Sequence, residues 1–226
     1  MSALSNANTR RGGQKPPHIG FASNVIPEAK GFPTGVSVEY VSDPAKQWFV
    51  LRVSYGRAMK AAQLIANRQI AHYLPIHHVM KLINNRRRKV TEPLLPGFIF
   101  AYAEAKQVQE LLDQYNSNGL LSYYYNHFHT DSFGKNPPLT IAEESMRNFI
   151  RATSVAQEDI RVISRQYCHF KSGDRVRVIG GEFKGVEGRV ARAAGQQRVI
   201  VELEGLCLVA TAYIPSALLN VIPKSP

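Results

Sequence analysis

Two hydrophobic rhythms alternate along the chain from about residue 47 onward. Trp48-Phe-Val-Leu-Arg-Val53 is aromatic and β-branched and predicts a strand, which Tyr55-Gly56 interrupts. Ala58, Ala61, Ala62 and Ile65 then recur at helical spacing, so Ala58 to Ile70 is predicted as a helix. Lys60, Gln63 and Asn67 fall on its opposite face, with Arg68 flanking the apolar stripe. Tyr73-Leu-Pro-Ile76 is extended, because a residue before proline avoids the helical region. Asn84-Asn85 suits a tight turn, which puts Lys81 and the run Arg86-Arg87-Arg88-Lys89 on an exposed hairpin. In Pro93-Leu-Leu-Pro-Gly-Phe-Ile-Phe-Ala-Tyr102, Phe98, Phe100 and Tyr102 alternate with Ile99, Ala101 and Ala103. A strand separates these sets onto two faces, both apolar and one carrying three aromatics. Val108, Leu111, Leu112 and Tyr115 mark a second helix from Glu104 to Tyr115. Gly119 to Phe128 reads as a strand. A third helix is expected from Thr140, with Glu143 completing a capping box and Ala142, Met146, Phe149 and Ile150 as its buried stripe. The order β-α-β-β-α-β-α describes an α+β domain of about 105 residues.

The rhythm changes beyond it. Residues 153–165 are polar and of mixed charge, as a linker would be. From 166 onward short strands are punctuated by glycine, and Val176 and Val178 alternate with arginines. Such spacing predicts a small β-barrel over 166–226. Residues 1–46 are rich in Gly, Pro, Ser and Asn without sustained periodicity, the pattern of a flexible extension. The α+β domain is thus expected over 47–152.

Charge narrows the function. The formal net charge is +11 and the pI about 9.8, which favours a polyanionic partner such as nucleic acid. A basic protein with no such partner is the alternative. Cys168 and Cys207 are too few for a disulfide-stapled fold and read as small buried hydrophobes. MSALSNANTRRGGQ has no apolar core, and the apolar run Leu94 to Ala103 is too short to span a bilayer. A cytoplasmic protein without membrane contact is expected. His77-His78 and His127-x-His129 have no carboxylate or thiolate at ligand spacing, so no metal is expected. Gly180 to Gly185 lacks the Gly-Lys-Ser/Thr ending of a nucleotide phosphate loop. With no catalytic constellation and no cofactor motif, an enzyme is not expected.

Phe170-Lys-Ser-Gly-Asp-Arg-Val-Arg-Val-Ile-Gly-Gly-Glu-Phe-Lys-Gly-Val-Glu-Gly-Arg-Val190 resembles a KOW motif, with Gly173, Asp174, Gly181, Phe183, Gly185 and Gly188 at its marked positions. Glycines there allow positive φ at tight corners while the valines fill the barrel. That motif alone also admits a ribosomal or RNA-binding protein. Trp48-Phe-Val-Leu-Arg-Val, Gly56-Arg57, Tyr73-Leu-Pro and Glu92-Pro-Leu-Leu-Pro-Gly-Phe-Ile-Phe100 resemble the NGN domain of NusG proteins, and the resemblance covers about residues 47 to 223. Within that family, Glu92 to Phe100 is similar to RfaH-type and UpxY-type factors. Leu51 to Arg57, Tyr73 to His77 and the extended N-terminus are most like UpxY-type regulators of capsular polysaccharide operons.

The resemblance implies a bacterial, non-enzymatic transcription elongation or antitermination factor that binds the β′ clamp helices of RNA polymerase. It places Leu95, Phe98 and Phe100 on the docking surface, with Trp48, Tyr73 and Tyr124 flanking, and leaves that aromatic shelf open; a strand with both faces packed in the core is the alternative. It also implies contact with the non-template DNA strand near Arg57, Lys60, Asn67 and Arg68. An ordinary solvated helix face is the alternative there. Arg86, Arg87 and Arg88 suit duplex or bubble phosphates, or form a charged hairpin tip without contact. The polymerase β subunit, nascent RNA, and a ribosomal protein or termination factor on the KOW module are further partners it allows. A general NusG elongation factor is the nearest competing identity, which gene neighbourhood would separate.

Overall fold

The computed structural model of the protein describes residues 42–115, 119–155, 160–163, 175–193 and 196–223. Nearly all of the expected N-terminal extension, Cys168, Gly173 and Asp174 lie outside the described residues.

The first sheet is antiparallel and centred on β1 (Gln47–Val53). β1 pairs with β5 (Phe98–Ala103) on one side and with β6 (Leu121–Tyr123) and β7 (Thr140–Ile141) on the other. β2 (Ala71–Tyr73) extends the sheet beyond β5. Alternation along β1 and β5 divides the side chains as the sequence predicts. Phe49, Leu51, Ile99 and Ala101 bury against α1 (Ala58–Asn67) and α2 (Ala105–Tyr115). The small Ala58 and Ala61 let α1 lie close to the strands, and Val108, Leu111 and Leu112 anchor α2. Trp48, Val50, Phe100 and Tyr102 point the other way, toward α3 (Glu143–Thr153), whose Met146, Phe149 and Ile150 are buried. Full burial of each large apolar side chain contributes roughly 1.5–3 kcal/mol.

Three elements differ from the predicted bounds. α1 ends at Asn67 because Gln69 adopts a left-handed φ of 57°. Gln69 N–H then donates to Ala66 O and Ile70 N–H to Ile65 O, the pairing of a Schellman motif. α3 begins at Glu143, and Ala142, its N-cap, makes no side-chain cap and is exposed. Edge pairing to β1, with Trp48 opposite Ile141, holds Thr140 in a strand and dissolves the expected capping box. Glu143 instead pairs with Arg147 at 2.6 Å. β6 covers only part of Gly119 to Phe128, with Tyr125 bridging Pro138.

β3 (Ile76–Ile83) and β4 (Arg86–Pro93) form a separate two-stranded ribbon. Asn84 and Asn85 have φ of 49° and 59°, as a type I′ turn requires.

The second sheet contains β8 (Arg161–Ile163), β9 (Arg175–Val178), β10 (Glu187–Ala193), β11 (Gln196–Leu203), β12 (Cys207–Tyr213) and β13 (Leu219–Val221). Its ladder runs β13-β9-β10-β11-β12-β8 and does not join its ends among the described residues. β8 lies inside the stretch expected to be a linker, where the β-branched Val162 and Ile163 pair with β12. The two sheets share one continuous core, in which Leu139, Met146 and Phe149 belong to the same buried cluster as Val199, Val201 and Leu203.

Among the described residues few polar side chains are buried. Arg198 donates to Thr211 O and Gln196 Oε1, each at 2.9 Å. Burial pushes the Cys207 thiol up to about 12, so it stays protonated. His72 is buried beneath the helices, and burial holds its pKa below the ordinary histidine value of 6.5 despite Nδ1 lying 3.1 Å from Ile70 O. The unfolded chain therefore binds the proton more readily. Stability from a neutral His72 is complete above pH 6.5 and is lost as pH falls below it. In urea titrations at pH 7.5 and 5.5, His72→Gln is expected to lose less stability than wild type, by at most about 1.4 kcal/mol. Equal losses would remove His72 from the acid response.

Candidate functional site

The aromatic face of the first sheet is closed at one end and open at the other. Phe100 is fully buried, its ring centroid 5.4 Å from that of Phe149 on α3. Tyr73 meets Phe149 edge-on, and its hydroxyl lies 2.6 Å from Thr153 Oγ1. Burial raises the Tyr73 phenol to about 12. Trp48 packs against Tyr102 at 5.3 Å, and Leu95 is buried beside the Pro96-Gly97 corner, where Gly97 has a φ of 83°. The expectation of an open shelf is therefore corrected for Trp48, Tyr73, Leu95 and Phe100. An apolar sheet face in water gains by burial, and the apolar stripe of α3 supplies the cover from within the chain.

Phe98 and Tyr124 remain partly exposed. Their rings meet edge-on at 5.2 Å, and His127 meets Tyr124 edge-on at 5.5 Å. Above Tyr124, at 5.6 Å from its centroid, lies the guanidinium of Arg52. Arg52 was not among the expected site residues. The available signal was its place in β1, opposite Phe98 and two residues from Val50, which sets a cation on the aromatic face. Pre-formed aromatic contacts under a cation make this end a ready surface for an apolar partner with acidic neighbours.

A second feature lies across the sheet. Arg57 and Lys60 line a cleft of about 630 Å³ with Leu64, Tyr115 and Leu120. Arg57, Lys60 and Asn67 lie on one stripe of α1 at helical spacing, all exposed. Arg68, also exposed, caps the far end of the helix about 15 Å from its start. The cleft thus brings two of the four residues expected at the non-template strand together beside Tyr115. Arg86, Arg87 and Arg88 are exposed along β4 on the ribbon.

In the second sheet, Gly181 and Gly185 have φ of 73° and 86° in the turn between β9 and β10. Phe183 between them is buried in the shared core. A Cβ on Gly188 would stand 2.3 Å from Ile200 O. This region is tied to α3 through Asn148, whose Oδ1 accepts from Glu187 N–H at 2.8 Å while its Nδ2 donates to Glu187 O. Arg151 reaches Gly185 O at 3.4 Å, and burial lowers its pKa. Among the described residues no three His, Cys, Asp or Glu side chains gather as a metal site, and no helix is long and apolar enough to cross a membrane.

Residues 46–150 match the family model described as NusG, transcription termination factor nusG. No curated protein matches the chain. The matched segment contains the first sheet, the ribbon, α1, α2 and most of α3, and so both surfaces just described. The likeness to the NusG family of transcription factors thus rests on residues 46–150.

Proposed function

We infer that the chain is a transcription elongation and antitermination factor that docks on RNA polymerase through the open end of its aromatic face. The carrying observation is the Phe98–Tyr124–Arg52 cluster, within the segment that matches the NusG family model. Two rings meeting edge-on and one cation offer a contact that excludes water at its centre, where truncating a residue costs about 2 kcal/mol or more. The β′ clamp helices are the partner implied by the resemblance, with Leu95 and the buried aromatics shaping the floor beneath the contact.

The cleft of Arg57, Lys60 and Tyr115 supports a single-stranded DNA contact, since cations that follow phosphates beside an aromatic suit unpaired bases. The non-template strand is the ligand in this reading, with Asn67 and Arg68 extending the track. A specialised factor of the UpxY or RfaH kind, serving a capsular or exopolysaccharide operon, is supported by Glu92 to Phe100 and by the long basic ribbon. Residues 175–223 suit a KOW module that binds a ribosomal protein or termination factor.

The test is a pull-down of purified polymerase with the full chain. Tyr124→Ala plus Arg52→Glu is expected to weaken capture at least about tenfold, with only a small fall in melting temperature because both positions reach the surface. Undiminished capture by the folded variant would place the contact elsewhere.

A further inference from the structure

We propose that the β3–β4 ribbon is an arm that grips duplex nucleic acid, β4 holding phosphates while apolar side chains of β3 enter a groove and wedge a base step. This rests on the nucleic-acid reading of Arg86, Arg87 and Arg88 and adds to it the duplex form of the ligand and the role of β3.

The ribbon is hydrogen-bonded as a sheet of its own, and its eight-residue strands give it a reach of about 25 Å. Every residue from Met80 to Lys89 is exposed. Cross-strand partners are Met80 with Lys89, Lys81 with Arg88, Leu82 with Arg87 and Ile83 with Arg86. Directly opposed residues share a face. Each face of the ribbon therefore carries an apolar side chain from β3 and cations from β4. One face carries Met80 and Leu82 with Lys89 and Arg87, and the other carries Ile83 and Lys81 with Arg86 and Arg88.

Stability alone does not account for this arrangement. Met80 is 61% exposed and Leu82 67%. Lys81 stands opposite Arg88, a like-charge pair that destabilises a ladder, and turns to Glu92 for its ion pair. A two-stranded ribbon is marginal by itself in water. Four consecutive cations complement a polyanion, and counterion release on phosphate contact supplies the missing favourable term. Methionine, leucine and isoleucine are side chains that intercalate from the minor groove, unstacking a step and kinking the duplex by about 20–90°. Met80 and Leu82, on the same face as Arg87 and Lys89, supply both parts.

The experiment uses the full chain and a linear DNA duplex with a donor and an acceptor dye at its two ends. Anisotropy gives affinity at several salt concentrations, and energy transfer reports bending. Wild type is expected to bind and raise end-to-end transfer. Arg86→Gln, Arg87→Gln, Arg88→Gln together should lower affinity at least about tenfold and flatten the slope of log K against log salt by about 3. Met80→Ser with Leu82→Ser should keep that slope but abolish the bend. Binding without a bend, or a bend unchanged in the serine variant, overturns the wedge while leaving phosphate contact intact. An unchanged salt slope in the glutamine variant overturns the arm altogether. Binding to phosphatidylserine vesicles with none to the duplex makes it a membrane device and overturns the proposal as well. Polymerase capture by both ribbon variants should match wild type, which separates failure here from failure of the docking surface.

Discussion

Gly188→Ala is expected to destabilise the chain by about 3 kcal/mol, at the upper end of overpacking costs. The added methyl would lie 2.3 Å from Ile200 O and 2.7 Å from Val199 Cγ1. The first contact is backbone, so no rotamer change relieves it. β10 and β11 pair through Arg189 with Ile200 and Val190 with Val199, so the ladder must part where it begins. Glu187, one residue earlier, carries both hydrogen bonds to Asn148 of α3. Damage at Gly188 should therefore spread to the cover of the first sheet. Calorimetry on the full chain should show Tm lowered by about 6–12 °C. Hydrogen exchange should rise in α3 as well as in β10 and β11. A drop of less than about 1 kcal/mol would mean the strands separate at little cost, and protection of α3 unchanged would mean the two sheets are energetically independent.

Local patterns in the sequence were legible where one residue's neighbours decide its fate. The alternation in Phe98 to Ala103 correctly separates the strand's two apolar faces, and the spacing of Val108, Leu111 and Leu112 marks the buried side of α2. Asn84-Asn85 marks its own turn, because asparagine tolerates positive φ. What failed was decided by partners distant in sequence. Thr140 has the chemistry of a helix cap, yet the free edge of β1 claims it. Arg161 to Ile163 look like linker until β12 offers a ladder. Gln69 ends α1 in a conformation usually left to glycine, which no periodicity announces. The site was divided in the same way. Arg57 and Lys60 were found as cations on a helix face, but their cleft depends on Tyr115 and Leu120 from elsewhere in the chain. The three aromatics of β5 were equivalent on paper. Only the position of α3 separates those that hold the fold from the one left partly exposed.

That separation makes the second large prediction a contrast between two phenylalanines in one strand. Phe100→Ala removes a ring with no exposed surface, packed on Phe149 and paired across the sheet with Val50 and Tyr73. Loss of transfer energy and the cavity left behind should cost about 3–5 kcal/mol, and any loss of polymerase capture would follow unfolding. Phe98→Ala leaves that core intact. It removes the edge-on contact with Tyr124, about 0.5–1.5 kcal/mol, and bares the shelf under Arg52. Its Tm should fall little, while capture of polymerase should fall at least about tenfold at a temperature where both proteins are folded. Urea midpoints and capture measured on the same two samples decide the matter. If Phe98→Ala costs as much stability as Phe100→Ala, the open end is part of the core. If Phe100→Ala stays folded yet fails to bind, α3 moves aside on docking, and the buried aromatics are contact residues after all.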